Sequence, residues 1–132
     1  MAKAKKVKQL SFVMPNKVGL LSEITDVVAS AKVNITAICA YGMGKKAYFM
    51  LLTENNAKAK KALGSFKARV EEEDVVTVEL PNKTGEIQKI AKKIADAGID
   101  VIYIYGTAGT GKLSIGVLKT DNDNKAIKAI NK

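Results

Sequence analysis

Val13-Met14-Pro15-Asn16-Lys17-Val18-Gly19 returns later in the chain as Glu79-Leu80-Pro81-Asn82-Lys83-Thr84-Gly85, 66 residues further on. Further matches keep the same offset, so the similarity covers most of each half of the 132 residues. A supersecondary unit that recurs at a fixed spacing is the signature of an internal repeat. The sequence therefore predicts two copies of one unit, with domains at residues 1–73 and 74–132.

The pattern within each copy changes from strand to helix at the repeated turn. Leu10, Phe12 and Met14 alternate before the first turn, as Val76, Val78 and Leu80 do before the second. Alternation predicts strands, and the helical spacing that follows predicts an amphipathic helix. The stripes predicted for the two helices are Leu21, Ile24, Val28 and Ala31, then Ile87, Ile90, Ala91, Ile94 and Ala97.

Two β-branched strands and a Lys/Ala-rich helix complete each copy. We expect strands at 35–41 and 47–53 with a helix at 56–64, and strands at 101–105 and 113–119 with a helix at 125–130. Residues 67–71 can close the first sheet, which gives the ferredoxin-like β-α-β-β-α-β order. The second copy ends before such a strand, so its sheet has an open edge that we expect a neighbouring repeat or another chain to cover, and to drive pairing.

The composition narrows the function classes. The chain has no histidine, which excludes catalytic triads and metal sites built on histidine, and its single cysteine, Cys39, excludes cysteine-rich zinc sites. We expect no cofactor, no metal and no enzymatic activity, and we place Cys39 in the core. The net charge of +9 comes almost wholly from lysine, but Arg69 is the only arginine and aromatics are 5%, so nucleic acid is not the expected partner.

One segment resembles a phosphate-binding P-loop. Gly106-Thr107-Ala108-Gly109-Thr110-Gly111-Lys112 has the required glycines and lysine, but Leu113 follows instead of Ser or Thr. That motif also needs a helix after it, whereas residues 113–119 have the pattern of a strand. We therefore interpret the segment as a hairpin turn.

No run of apolar residues is long enough for a membrane-spanning helix. A basic N-terminus without a long apolar segment behind it predicts no signal peptide, and one cysteine suits a reducing compartment. We expect a cytoplasmic protein.

The repeated turn is the strongest functional signal. A glycine at a helix start lets a ligand approach the backbone, whose first N–H groups are unpaired and favour a carboxylate. Asn34 and Asp100, at the far end of each helix, offer polar groups to an ammonium or hydroxyl. Asparagine and glycine are also common caps and turn residues, so a purely structural role stays open for each of them.

These residues resemble the motifs of the ACT domain family. In the first copy the resemblance rests on Asn-Lys-Val-Gly and Val33-Asn34-Ile35, and in the second on Asn-Lys-Thr-Gly and Gly98-Ile99-Asp100-Val101. The resemblance implies an α+β fold of two ferredoxin-like repeats, with helices on one face of antiparallel sheets, and an amino acid bound between paired repeats. Carried over residue by residue, it implies the ligand-binding set Asn16, Gly19, Leu20, Leu21, Asn34, Ile35, Asn82, Gly85, Glu86, Ile87, Asp100 and Val101.

Val18 and Thr84 depart from the family's proline, and Asp100 from its asparagine, so we expect two unequal pockets with the first dominant. The predicted function is a regulatory sensor of an amino acid, acting as a homodimer or higher oligomer and through a regulated partner protein, since no catalytic domain is recognised in these residues. The alternative is a protein–protein assembly module with vestigial pockets.

Overall fold

The computed structural model describes residues 2–107 and 110–132. The elements in chain order are β1 (Lys3–Pro15), α1 (Leu20–Ser30), β2 (Ile35–Met43), β3 (Lys46–Thr53), α2 (Asn56–Leu63), a 3-10 turn (Gly64–Phe66), β4 (Glu71–Pro81), α3 (Glu86–Asp96), β5 (Val101–Thr107), β6 (Leu113–Thr120) and α4 (Asp123–Asn131). The predicted α+β class with antiparallel strands is confirmed.

The chain divides into two compact units. Unit A is Lys8–Glu73, and unit B is Asp74–Lys132 together with the residues up to Val7. The division at residue 73 coincides with the one we expected from the repeat, whereas residues 2–7 group with the second copy. The domain boundaries 1–73 and 74–132 remain a proposal, because the two compact units divide the N-terminal residues differently.

Unit A contains a sheet with the strand order β2-β3-β1-β4. Only the first residues of β4 belong to this unit. Leu10, Phe12, Phe49 and Leu51 point to one side of the sheet and are at most 4% exposed, packed with α1 and α2. The predicted closing strand at 67–71 is wrong in its bounds. Residues 64–66 form a 3-10 turn that ends with Lys67 at φ 57°, so the extended backbone resumes only at Glu71.

Unit B has the order β1-β4-β6-β5, in which the first half of β1 lies beside β4. Ala4 joins the core of Val76, Val78, Ile90 and others. Its N–H donates to Asn131 Oδ1 at 2.7 Å, and its carbonyl accepts from Asn131 Nδ2 at 2.9 Å. The edge predicted to be open is therefore covered by a strand from the neighbouring repeat of the same chain, and the expectation that it drives pairing is wrong.

The buried faces of the helices differ from the predicted stripes at the first position of each and at Ala91. Leu21 and Ile87 are 53% and 59% exposed, and Ala91 is exposed as well, whereas Ile24, Val28, Ile90 and Ile94 are buried. In α1 the preceding residue, Leu20, fills the core at 3% exposure. The buried face of α1 therefore runs through Leu20, Ile24 and Val28, which turns Leu21 outward. Cys39 is half-buried on β2 and is not a core residue.

None of the described helices exceeds 11 residues, and none has the length and apolar character needed to cross a bilayer.

Candidate functional site

The turn between β1 and α1 is held by main-chain geometry. The Asn16 N–H donates to the Lys45 carbonyl at 2.8 Å, which ties the turn to the β2–β3 hairpin. Gly19, the N-cap of α1, has φ 87°, a left-handed conformation that glycine adopts without steric penalty. A Cβ atom at Gly19 would meet no heavy atom within 4 Å, so the space beside the helix start is open.

Unit B repeats this turn. The Asn82 N–H donates to the Lys112 carbonyl at 2.8 Å, and Gly85 has φ 86°, again with open space beside it. The side chain of Asn82 also donates from Nδ2 to the Gly111 carbonyl at 3.0 Å. Both asparagines are thus turn residues that brace a hairpin, and neither caps its helix.

The N-termini of the four α-helices found in the described residues fall into two classes. In α2 and α4 the side chains of Asn55 and Asn122 accept the N–H of Lys58 and Lys125, each at 3.1 Å. No side chain caps α1 or α3, whose N-caps are the two left-handed glycines. The first N–H groups of an uncapped helix carry partial positive charge and are the natural partner of an anion.

A cavity lies beside each uncapped terminus. The first turn cavity, in unit A, has a volume of about 240 Å³, and the second turn cavity, in unit B, about 390 Å³. The first is lined by Asn16, Lys17, Gly19, Leu20, Leu21, Ala40, Tyr41, Gly42, Ala47 and Phe49. The second is lined by Leu80, Pro81, Asn82, Lys83, Glu86, Ile87, Ile104, Tyr105, Gly106, Thr107, Ser114, Ile115 and Gly116.

The cavities contain part of the predicted ligand-binding set. Asn16, Gly19, Leu20 and Leu21 line the first, and Asn82, Glu86 and Ile87 line the second, with Gly85 adjacent. The exposure of Leu21 and Ile87 places their apolar side chains at the cavity rims.

The other predicted residues lie elsewhere in their own unit. Asn34 and Ile35 are at the start of β2, whereas the turn cavity is lined by Ala40, Tyr41 and Gly42 near the end of this strand, about 20 Å away at about 3.3 Å per residue. Asn34 Nδ2 donates to Glu54 Oε1 at 3.3 Å. Asp100 and Val101 occupy the matching end of β5, where the Asp100 N–H donates to Asp121 Oδ1 at 3.1 Å. No single unit therefore combines the two groups of residues.

Two glycines of the cavity walls were not found from the sequence. A Cβ at Gly42 would lie 2.7 Å from Asn16 Nδ2, so the missing side chain makes room for the Asn16 amide. A Cβ at Gly106 would lie 2.5 Å from the Ile115 carbonyl oxygen on the neighbouring strand. The repeat does not mark these positions, because Gly42 aligns with Ala108 and Gly106 with Ala40; pairing of the hairpin strands is the signal that would have found them.

The charge at the two helix starts differs. Glu86 stands where unit A has Leu20, with its side chain 14% exposed and its Oε2 2.7 Å from Lys89 Nζ. The hydrogen bond from Lys89 lowers the pKa of the Glu86 carboxyl below its usual value of 4.5. A carboxylate thus already stands at the start of α3, next to the second turn cavity.

Metal-binding geometry is not found in the described residues: nowhere in 2–107 and 110–132 do three His, Cys, Asp or Glu side chains cluster as they would around a metal ion. The segment resembling a P-loop is followed by β6 and not by a helix, which confirms the strand expected at 113–119; Ala108 and Gly109 lie outside the described residues.

A family model described as an ACT domain pair matches residues 5–132. The chain belongs to this family. ACT domains are regulatory modules, and membership supports a regulatory, ligand-binding role for this ACT domain pair.

Solved structures agree with the fold of the ACT domain pair. Protein BT0572 from Bacteroides thetaiotaomicron is 29% identical, with a TM-score of 0.88 over 97% of this chain and 88% of that one. The regulatory subunits of aspartate kinase from Thermus flavus and Thermus thermophilus are 14% and 13% identical, with TM-scores of 0.64 and 0.69. They cover 98% and 96% of this chain and 95% of their own lengths, and at such identity they support the fold alone. No curated protein sequence matches the chain.

Proposed function

We propose that this ACT domain pair is a regulatory sensor that binds a free amino acid at its uncapped helix starts. One observation carries the proposal: α1 and α3 begin with a left-handed glycine and no side-chain cap, each beside a cavity, while α2 and α4 are capped by asparagine. A ligand carboxylate accepting the free N–H groups would supply the missing cap, favoured by the helix dipole.

In the first turn cavity, the carboxylate would accept from the backbone N–H groups of Gly19 and Leu21, since the Leu20 N–H already donates to the Lys17 carbonyl at 3.3 Å, and the Asn16 amide would orient it. The second turn cavity offers Asn82, Gly85 and Ile87 in the same places, but the Glu86 carboxylate repels a ligand anion there. We therefore propose that the first turn cavity binds the effector more tightly.

The amino group of the ligand would be recognised by Asn34 and Ile35, or by Asp100 and Val101, from a second, pairing repeat. We propose that this second repeat belongs to another copy of the chain, in a homodimer or higher homo-oligomer. β2 and β5 end the strand orders of their units, and Ile38 on β2 is 42% exposed, which supports association there. We further propose that binding changes how the protein engages a regulated partner in the cytoplasm.

A thermal-shift screen of the twenty amino acids tests the proposal. An amino acid at 100 times its dissociation constant should stabilise the protein by about 2.7 kcal/mol. Calorimetry with the amino acid found should then give no measurable heat for Asn16→Ala, which leaves the backbone bond to Lys45 intact. Asn82→Ala should keep most of the binding and lose about 1 kcal/mol of stability with the bond to Gly111.

Screening all twenty without a shift would contradict the proposal, as would unchanged binding by Asn16→Ala. Far-UV circular dichroism of both variants provides the control for folding.

The second candidate function is an assembly module whose cavities are vestigial. Ile102 and Ile104 on β5 are 58% and 50% exposed, which favours a protein contact at that edge. A flat amino-acid screen, together with self-association that is abolished in Ile104→Lys, would support this function instead.

A further inference from the structure

A groove between α3 and α4 of unit B is lined by lysines. It has a volume of about 760 Å³, and its wall consists of Lys93, Lys125, Lys128 and Lys132 with Asp96 and two alanines. The lysines are exposed, and Asp96 pairs with Lys92 at 3.2 Å. We call this surface the lysine groove.

The lysines that α4 contributes to the groove keep their positive charge unpaired by carboxylate side chains. Lys93 Nζ donates to the main-chain oxygens of Ile130 and Lys132, at 3.1 and 3.2 Å, at the end of α4. Within the described residues, no carboxylate side chain pairs with Lys125 or Lys128. Neighbouring like charges in a concave surface attract an anionic partner and raise its rate of association.

Unit A provides the contrast. Lys58 and Lys61 occupy on α2 the places that Lys125 and Lys128 occupy on α4, since Asn55 and Asn122 cap the two helices in the same way. In α1, however, Val27 stands where α3 has Lys93, and it packs against the core. The cation that α3 contributes is therefore specific to unit B, and a groove between two lysine-bearing helices is a separate feature from the general excess of lysine.

We propose that the lysine groove is a docking site for an acidic segment of another protein. Carboxylates on an extended or helical segment complement the ammonium groups, whose flexible stems adapt to their spacing. The groove has no arginine and no aromatic side chain, so it lacks the bidentate contacts and stacking that a nucleic acid would use. Its apolar lining is limited to Ala97 and Ala129, too little for insertion into a membrane.

The test uses the full chain and a fluorescently labelled twelve-residue peptide of alternating glutamate and alanine. Fluorescence anisotropy at low salt should show at least a tenfold weaker affinity for the double variant Lys125→Glu/Lys128→Glu than for the parent. The matched control Lys58→Glu/Lys61→Glu makes the same change in net charge and should weaken binding less than twofold. NMR shifts caused by the peptide should map to α3 and α4.

Equal weakening by the two double variants would overturn the proposal, because binding would then follow net charge alone. Tighter binding of a single-stranded oligonucleotide of equal charge, or of anionic phosphatidylserine vesicles, would overturn it in favour of that partner. Circular dichroism verifies that both variants fold, and the single variant Lys128→Gln, with an expected loss of about threefold, provides a milder second measurement.

Discussion

The two turn cavities have the same backbone and different side chains. Gly19 and Gly85 agree within 1° in φ, and the bonds from the Asn16 and Asn82 N–H groups are both 2.8 Å long. Yet Leu20 is buried in the core of unit A, whereas its counterpart Glu86 carries a carboxylate that pairs with the exposed Lys89. Duplication has kept the main-chain donors, and the first residue of the helix decides what charge a ligand meets.

The largest expected difference between the two units is the loss of stability when the first residue of the helix, Leu20 or Glu86, is replaced by alanine. Leu20→Ala should lower the free energy of unfolding by about 2–5 kcal/mol, because it leaves a void in a core that cannot fully collapse. Glu86→Ala removes only an ion pair near the surface and should change stability little. Urea denaturation measures both, with Leu21→Ala as the exposed control, expected within about 0.5 kcal/mol of the parent. Similar losses for Leu20→Ala and Glu86→Ala would contradict the comparison.

Substitution of the glycines in the cavity walls should cause the next largest losses of stability. Gly106→Ala places a methyl group 2.5 Å from a backbone oxygen of β6, so strands must shift, with an expected loss of about 1–3 kcal/mol. Gly42→Ala meets the end of the Asn16 side chain, which can rotate, so we expect a smaller loss of stability and weaker ligand binding in the first turn cavity.

Gly116→Ala is the control for these wall variants, because its added methyl group meets no heavy atom within 4 Å. Thermal unfolding of the three variants measures the order of their stabilities. The comparison would be refuted by a Gly42→Ala variant less stable than Gly106→Ala.

The smallest expected effect is a pH dependence confined to unit B. The bond from Lys89 lowers the pKa of the Glu86 carboxyl in the folded state, so the folded state favours the charged form. The resulting stability is present above the pKa of the unfolded state and is lost as the pH falls through the folded-state pKa. Glu86→Gln should therefore flatten the decline of the unfolding midpoint below about pH 4.5.

An NMR titration of the carboxyl carbon checks the direction of the Glu86 pKa, and Lys89→Ala should return this pKa toward 4.5. The same acid dependence in Glu86→Gln as in the parent would show that other carboxylates account for it.

Most of the fold could be predicted because it depends on local patterns. Alternation at Leu10 and Phe12 marked a strand, the spacing of Ile24 and Val28 marked a helix, and all four are buried as expected. Leu21 was misplaced because a stripe defines a helix face only to within one residue, and the left-handed Gly19 fixed the start of the helix.

The candidate site was predictable to a smaller extent. The repeated Asn and Gly marked the turns, but Gly42 and Gly106 depend on which residues lie opposite one another across a hairpin. Asn34 and Asp100 were chosen for their polar groups at the far end of each helix, a position that separates them from the turn of their own unit, and only the resemblance joined them to the turn in one binding set.

The sequence by itself determined the duplication, the order of elements within each copy and the glycine turns before two helices, because repeats, hydrophobic periodicity and backbone preferences are local properties. Tertiary structure decided what completes each sheet. Lys3, Lys5 and Lys6 give the first half of β1 little strand signal, and it becomes a strand because its main chain pairs beside β4 and Ala4 packs into the core of unit B. Edge pairing uses backbone groups that every residue carries, so the side-chain pattern could not predict it.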